Sequence, residues 1–151
     1  MPIIQASDVQ SHVGKEVGVS DWREITQAGV NAFADVTGDH QFIHVDPEKA
    51  KLTPIGGTIA HGFYTLSLLA GMADGVTLRL DTLKMGLNYG LDRVRFIAPV
   101  KVGARIRARF TLASVDRRND GAYQFTYTVA VEIEGEDKPA LAAQWVFLQY
   151  V

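Results

Sequence analysis

Hydrophobic positions change their spacing once along this chain. Up to about residue 84 they recur at helical intervals between glycines and prolines, and beyond it they alternate with polar residues in long runs. SDVQSHVGK predicts a short helix with Ser7 as cap, Gln10 three residues later as in a capping box, and Gly14 just past its end. EVGVSDWREI is short and mixed, with room for a short strand. ITQAGVNAFADVTGD predicts a better helix. Thr26 is placed as N-cap, Val30, Phe33, Ala34 and Thr37 fall at helical spacing, and Gly38 is placed to stop it. VDPEKA opens another helix, with Asp46 as N-cap, Pro47 at the first helical position and Glu48 in the first turn. Residues 39–45 are then a connector between two helix ends. TPIGGTIAHGFYTLSLLAGMADG is the most apolar segment, punctuated by Pro54 and Gly56-Gly57. Over residues 61–73 it places Phe63, Leu66, Leu69, Ala70 and Ala73 on one side, with Leu68 and Met72 elsewhere. A helix apolar on most of its surface is expected to be buried on most sides.

The second half predicts strands. NYGLDRVRFIAPV is the first. ARIRARFTLASV alternates Ile106, Ala108, Phe110 and Leu112 against Arg105, Arg107 and Arg109. QFTYTVAVEIE alternates Phe125, Tyr127, Val129, Val131 and Ile133 against Thr126, Thr128, Ala130 and Glu132. RNDG and GEDKP supply the turns between strands. AQWVFLQY is apolar on both faces, so it belongs in the middle of the sheet or at a subunit contact. Helices followed by an antiparallel sheet make an α+β domain. No repeat or linker interrupts it, so residues 1–151 are expected to be one domain.

Composition narrows the function classes. Hydrophobic residues are 47% and charged residues 21% of the 151, which suits a packed core and argues against disorder. A net charge of −2 gives no electrostatic reason to bind nucleic acid or an anionic membrane. The absence of cysteine excludes disulfides, a thiolate nucleophile and thiolate metal sites. MPIIQASDVQ lacks a basic region followed by an apolar run, and apolar stretches fall short of the ~20 residues that span a bilayer. The expectation is a soluble cytoplasmic protein.

Four groupings could carry chemistry. Asp39 and His44 flank the connector TGDHQFIH. On a helix five residues would put them on different faces, but in a connector they can converge, share a water and pass a proton to or from a substrate. On spacing alone an ordinary polar turn with a satisfied histidine is the commoner outcome. In IAHGF, Gly62 opens a helix, where free N–H groups could form an oxyanion hole or the glycine could serve packing alone. His40 and His44, with Asp39, Asp46 and His61, could be imagined as metal ligands. The four-residue spacing helps only on a helix, which Gly38 and Pro47 argue against, so no metal is expected. The Arg105, Arg107, Arg109 stripe reads as a solvated sheet face, or else as a contact to the phosphates of a coenzyme A substrate. No G-x-S-x-G and no phosphate loop is present.

FADVTGDHQFIHVDPEKA, residues 33–50, resembles the signature of the MaoC-like dehydratases, the R-specific enoyl-CoA hydratase family. Its elements are an aromatic residue (Phe33), Gly38-Asp39, a four-residue gap, His44 and a small residue, Ala50. GGTIAHGFYTLSLLAGM resembles the family's central helix, with His61-Gly62 as its HG pair. NYGLDRVRFIAPVKVG resembles the strand that follows. The likeness is greatest to the single-domain branch similar to nodulation protein N. It implies a hot-dog fold, an antiparallel sheet wrapped around one long apolar helix, and a homodimer whose sheets join. It implies reversible syn addition of water to a trans-2-enoyl-CoA, giving the (R)-3-hydroxyacyl-CoA, with no cofactor. Asp39 and His44 would hold the reacting water, and the Gly62 N–H would bind the thioester oxygen. Gln41, Phe42, His61 and Tyr89, within the matched motifs, are candidate substrate contacts.

The sequence departs from the family at one place: Gln41-Phe42 stands where the usual signature has Asn-Pro. Gln keeps an amide, losing Pro frees φ, and Phe42 adds bulk, so acyl-length preference is the property expected to differ. Two other functions fit the same fold, an acyl-CoA thioesterase and a non-catalytic acyl-thioester-binding subunit.

Overall fold

The computed structural model describes residues 2–151, and in it the two halves of the pattern become a helical layer and a sheet. The chain opens with β1 (Ile3–Ile4), a 3-10 turn (Val9–His12), β2 (Glu16–Val19) and β3 (Arg23–Glu24). The short helix expected near Ser7 forms as this 3-10 turn, but Asp8 and not Ser7 is its N-cap, and no side chain caps it. The Ser7 hydroxyl donates to Asp8 Oδ1 and the Gln10 amide reaches away to donate to Val115 O, so both side chains are turned from the reciprocal capping geometry. α1 (Gln27–Thr37) starts as expected, with Thr26 Oγ1 accepting from Gly29 N at 3.1 Å. It stops at Gly38, whose φ of 78° places it in the left-handed region that glycine adopts freely.

The connector expected at residues 39–45 contains an extra helical turn, α2 (Phe42–Val45). α3 (Pro47–Lys51) follows, with Asp46 Oδ1 accepting from Lys49 N at 3.0 Å, which also holds the Asp46 carboxyl below its usual pKa. The apolar segment forms α4 (Gly62–Ser67) and α5 (Leu69–Ala73), not one regular helix. The two share an axis, because Leu68 N bonds to Tyr64 O and Met72 N to Leu68 O across the break. This axis is buried on one side only. Thr65, Leu69, Met72 and Ala73 face the core, whereas Phe63 is 67% exposed and Ala70 and Gly71 are open.

After the short β4 (Arg79–Leu80), which pairs with β1, come β5 (Met85–Phe96), β6 (Arg105–Arg117), β7 (Tyr123–Ile133) and β8 (Leu141–Tyr150). Their order is β2-β6-β7-β8-β5, with β3 also on β6 and every pairing antiparallel. The doubly apolar β8 is interior, as its pattern predicts, and β5 is left at the edge. The alternating sets Ile106–Leu112 and Phe125–Ile133 all point into the core, with the helical layer over them. This is the hot-dog arrangement of a sheet curled about a helix, with the helix interrupted and half open.

The arginine stripe lies on the other face of β6 and is paired along its length. Arg105 meets Glu134 at 3.1 Å, Arg107 meets Glu132 at 2.6 Å, and Arg109 bridges Glu132 and Glu16. The Trp22 ring lies 4.4 Å from the Arg107 guanidinium. These cations sit on the sheet face away from α4, so the solvated-face reading holds and the phosphate reading gains no support. Hydrogen bonds from Arg107 and then Arg109 hold the Glu132 carboxyl below its usual pKa. A depressed carboxylate stabilises the fold above its unfolded pKa, and that gain is lost as pH falls through the folded one. These side chains are about a third exposed, so Glu132→Gln is expected to cost about 1 kcal/mol, or about 2–4 °C in Tm, at neutral pH. The difference from wild type should shrink on acidification, a trend that parallel melting curves would check.

Candidate active site

The site begins where α1 ends. Gly38 turns the chain and delivers Asp39, whose Oδ1 accepts from Gln41 N at 3.4 Å. The α2 turn then carries His44 inward until it is buried. Its Nδ1 lies 2.7 Å from Ile59 O. A carbonyl only accepts, so the hydrogen is on Nδ1 and the neutral ring keeps a bare Nε2. His61, the residue just before α4, has Nε2 3.0 Å from Asp39 O, and the same argument leaves its Nδ1 bare. That atom is buried without a partner among the described residues.

The structure therefore brings Asp39, His44 and His61 together, one polar atom of each within 4.8 Å of the others. The two imidazoles stack, with centroids 3.8 Å apart and planes at 25°. A cation in the plane of one ring would sit out of the plane of the other, so the set suits a hydrogen-bonded water better than a metal ion. Phe33 walls the group, its ring 5.1 Å from that of His61. His40 stays outside it. Its Nε2 lies 2.9 Å from exposed Asp35, a contact that raises its pKa.

One supporting residue has no sequence signal. Gln27, at the start of α1, donates to His44 O at 2.7 Å and to Asn31 Oδ1 at 2.8 Å, and accepts from the buried Thr58 hydroxyl at 2.6 Å. It ties α1, α2 and the segment before α4 into one support for His44. Only the Asn31 contact is local in sequence, so the other two were invisible before folding.

Beside His44 is a pocket of about 270 Å³, lined also by Gly62, Thr65, Phe96 and residues 97–100. Thr65 N is the first amide of α4 to bond back within the helix, to His61 O, so the amides of Gly62, Phe63 and Tyr64 have no intrahelical acceptor. Gly62 is also closely approached. A Cβ there would stand 2.9 Å from the Phe96 ring. His44 and Gly62 thus face one space, and Asp39 approaches His44 from the solvent side. Gln41 and Phe42 are exposed on the turn that carries His44 and do not line the pocket. Tyr89 is farther away. It lies seven residues along β5 from Phe96, roughly 20 Å of strand, and stacks under Arg118 instead.

Residues 8–133 match the family model described as the MaoC like domain. Nodulation protein N of Rhizobium leguminosarum bv. viciae is 51% identical over 144 residues, covering 95% of this chain and 89% of that protein. The 3-hydroxyacyl-thioester dehydratase Z of Mycobacterium tuberculosis is 48% identical over 145 residues, covering 96% and 95%. Among solved structures, the monoamine oxidase regulatory protein from Archaeoglobus fulgius superposes with a TM-score of 0.81 at 25% identity, covering 100% of this chain and 97% of that one. No helix among the described residues is long and apolar enough to cross a membrane.

Proposed function

Because this chain belongs to the MaoC-like domain family, with a 3-hydroxyacyl-thioester dehydratase among its relatives, we propose that it is an (R)-specific enoyl-CoA hydratase acting reversibly as a 3-hydroxyacyl-thioester dehydratase. The observation that carries the reading is the fixed tautomer of His44. With Nδ1–H held by Ile59 O, Nε2 is left bare, a ring nitrogen of His44 lies within 4.8 Å of the Asp39 carboxylate, and His44 lines the Gly62 pocket. Two acceptors around one point hold a water by both its hydrogens. In the hydration direction the water oxygen attacks Cβ of the enoyl thioester, and one proton of that water passes to the Asp39–His44 pair. The π electrons move toward the thioester oxygen, where the Gly62 N–H stabilises the developing charge. As they return, Cα takes a proton from the same pair. Both additions come from one face, which is syn addition.

Gln41 and Phe42, exposed within three residues of His44, are assigned to the incoming thioester, and His61 to positioning Asp39 through its carbonyl. A second copy of the chain completes the assembly. β5 is an unpaired edge of 12 residues carrying Met85, Leu87, Tyr89, Leu91 and Phe96 exposed, with Phe63 beside it. A long apolar edge is a hazard to a lone subunit, and antiparallel pairing of two such edges removes it. Tyr89, distant from its own pocket, would then lie at the joint. Sedimentation equilibrium is expected to give a dimer, and Leu87→Lys with Leu91→Lys a monomer. A monomeric wild type would remove the homodimer from this reading.

The deciding assay is loss of enoyl-thioester absorbance with crotonyl-CoA, followed by the configuration of the product. Release of free coenzyme A thiol without hydration would point instead to a thioesterase. Tight acyl-CoA binding with no turnover at any chain length would point to a binding subunit.

A further inference from the structure

Thr65 sits one turn into α4 and is 3% exposed, so nearly all of it is enclosed. A serine or threonine inside a helix commonly donates to the carbonyl four residues earlier. Thr37 in α1 does so to Phe33 O at 2.8 Å, and Ser67 in α4 does so to Phe63 O at 2.7 Å. The Thr65 hydroxyl does not, and only the Thr65 N–H bonds to the corresponding carbonyl, His61 O, at 3.1 Å. That hydroxyl has no hydrogen-bond partner among the described residues. Nor is it sealed in, because the fully enclosed side-chain atoms without a partner are His61 Nδ1 and the Tyr127 hydroxyl oxygen. Thr65 borders the pocket of His44 and Gly62, and its hydroxyl opens there.

The pocket narrows what that hydroxyl can serve. Among the residues lining it, His44 and Thr65 alone carry polar side chains. The Nδ1–H of His44 is held by Ile59 O, and its bare Nε2 can only accept. The Thr65 hydroxyl is therefore the free side-chain hydrogen of the lining, set among apolar walls that include Ile59, Phe96, Ile97 and Val100. Gly62 and Thr65 are three residues apart and so lie on one side of the helix. Helical side chains lean toward the N-terminus, which carries the Thr65 side chain back toward the turn that Gly62 opens. An oxygen bound at the Gly62 N–H has this hydroxyl on its flank. A buried hydroxyl without a partner destabilises a fold, and a substrate oxygen held there would supply the partner.

We propose that the Thr65 hydroxyl is a second donor to the thioester oxygen, beside the Gly62 N–H, and that its bond strengthens as charge moves onto that oxygen. The proposal deepens the hydratase reading and rests on it, and its test separates the two. The first readout is rate. Thr65→Val removes an unpaired hydroxyl and keeps the branched shape, so the fold stands and the melting temperature does not fall. Its kcat for crotonyl-CoA hydration drops about 100-fold, the loss expected for one oxyanion donor. KM changes less, because the bond is worth most in the transition state. Thr65→Ser keeps the hydroxyl and recovers most of the rate, and Thr65→Ala repeats the loss if valine crowds the turn. The second readout needs no turnover. Butyryl-CoA, isotope-labelled at its thioester carbonyl, is bound and its carbonyl stretch is followed by infrared difference spectroscopy. The band lies at lower frequency in wild type and Thr65→Ser than in Thr65→Val, since a second donor polarises the carbonyl. If no enoyl-CoA is hydrated but the band moves in this way, the hydratase reading fails and the donor assignment stands. A band that ignores Thr65→Val overturns the assignment however fast hydration is, because the hydroxyl would then act on the water or the walls. A Thr65→Val enzyme that hydrates crotonyl-CoA at the wild-type rate overturns it as well.

Discussion

Asp39→Asn and His44→Gln are each expected to lower kcat for crotonyl-CoA hydration by about 10²–10⁴-fold, the range for loss of a positioned acid or base. The fold should survive both. Asn keeps an oxygen to accept from Gln41 N, and Gln has an amide that can donate to Ile59 O as the His44 Nδ1–H does. Near-wild-type melting temperatures would confirm that the loss is chemical. The double variant carries the sharper expectation. If the two side chains hold one water, removing the second after the first changes little, because the unit is already broken. Losses that multiply would mean two independent roles and would sink the shared-water reading. Gln27→Ala should act on the same rate more weakly, since it only holds the His44 carbonyl and the Thr58 hydroxyl.

The elements legible in the sequence are those whose causes are local. Thr26, Gly38 and the Asp46-Pro47 pair each act within four residues, and the ends of α1 and the start of α3 fall where they predict. Alternation in β6 and β7 is likewise local, and every residue assigned to its inner face is buried. The capping box at Ser7 fails for the opposite reason. Gln10 finds an acceptor 105 residues away, which no short window contains. The same limit applies in the site. That Asp39 and His44 converge follows from two helix ends facing a short connector. That His44 holds its hydrogen on Nδ1 depends on Ile59 O, and the support from Gln27 depends on Thr58. Apolar patterning also cannot distinguish what covers a face. The α4–α5 axis reads as buried on most sides, yet Phe63 is open, and the same pattern would suit a helix covered by a second copy. Tyr127 is an ordinary inner residue of an alternating strand until its hydroxyl is seen to lack a partner among the described residues.

Gly62→Ala should lower kcat/KM by about 100-fold, and Phe96→Ala in the same chain should restore much of it. The substitution keeps the Gly62 N–H, so the proposed oxyanion donor is still present. What changes is space. The added methyl would stand 2.9 Å from the Phe96 ring, closer than packed carbon atoms allow, and the ring must yield. Phe96 lines the pocket that Gly62 shares with His44, so its displacement carries side-chain bulk toward the place of the thioester. A shift of about 1 Å at a reacting centre is enough for a loss of that size. Phe96→Ala removes the obstacle. A single Phe96→Ala change should cost less than Gly62→Ala, since it opens the pocket without obstructing it. Recovery in the double variant would show that glycine is required at residue 62 for close approach, with the N–H doing the chemistry. A double variant as slow as Gly62→Ala alone would put the defect in the start of α4 itself, and the oxyanion assignment would then rest on backbone geometry that alanine disturbs.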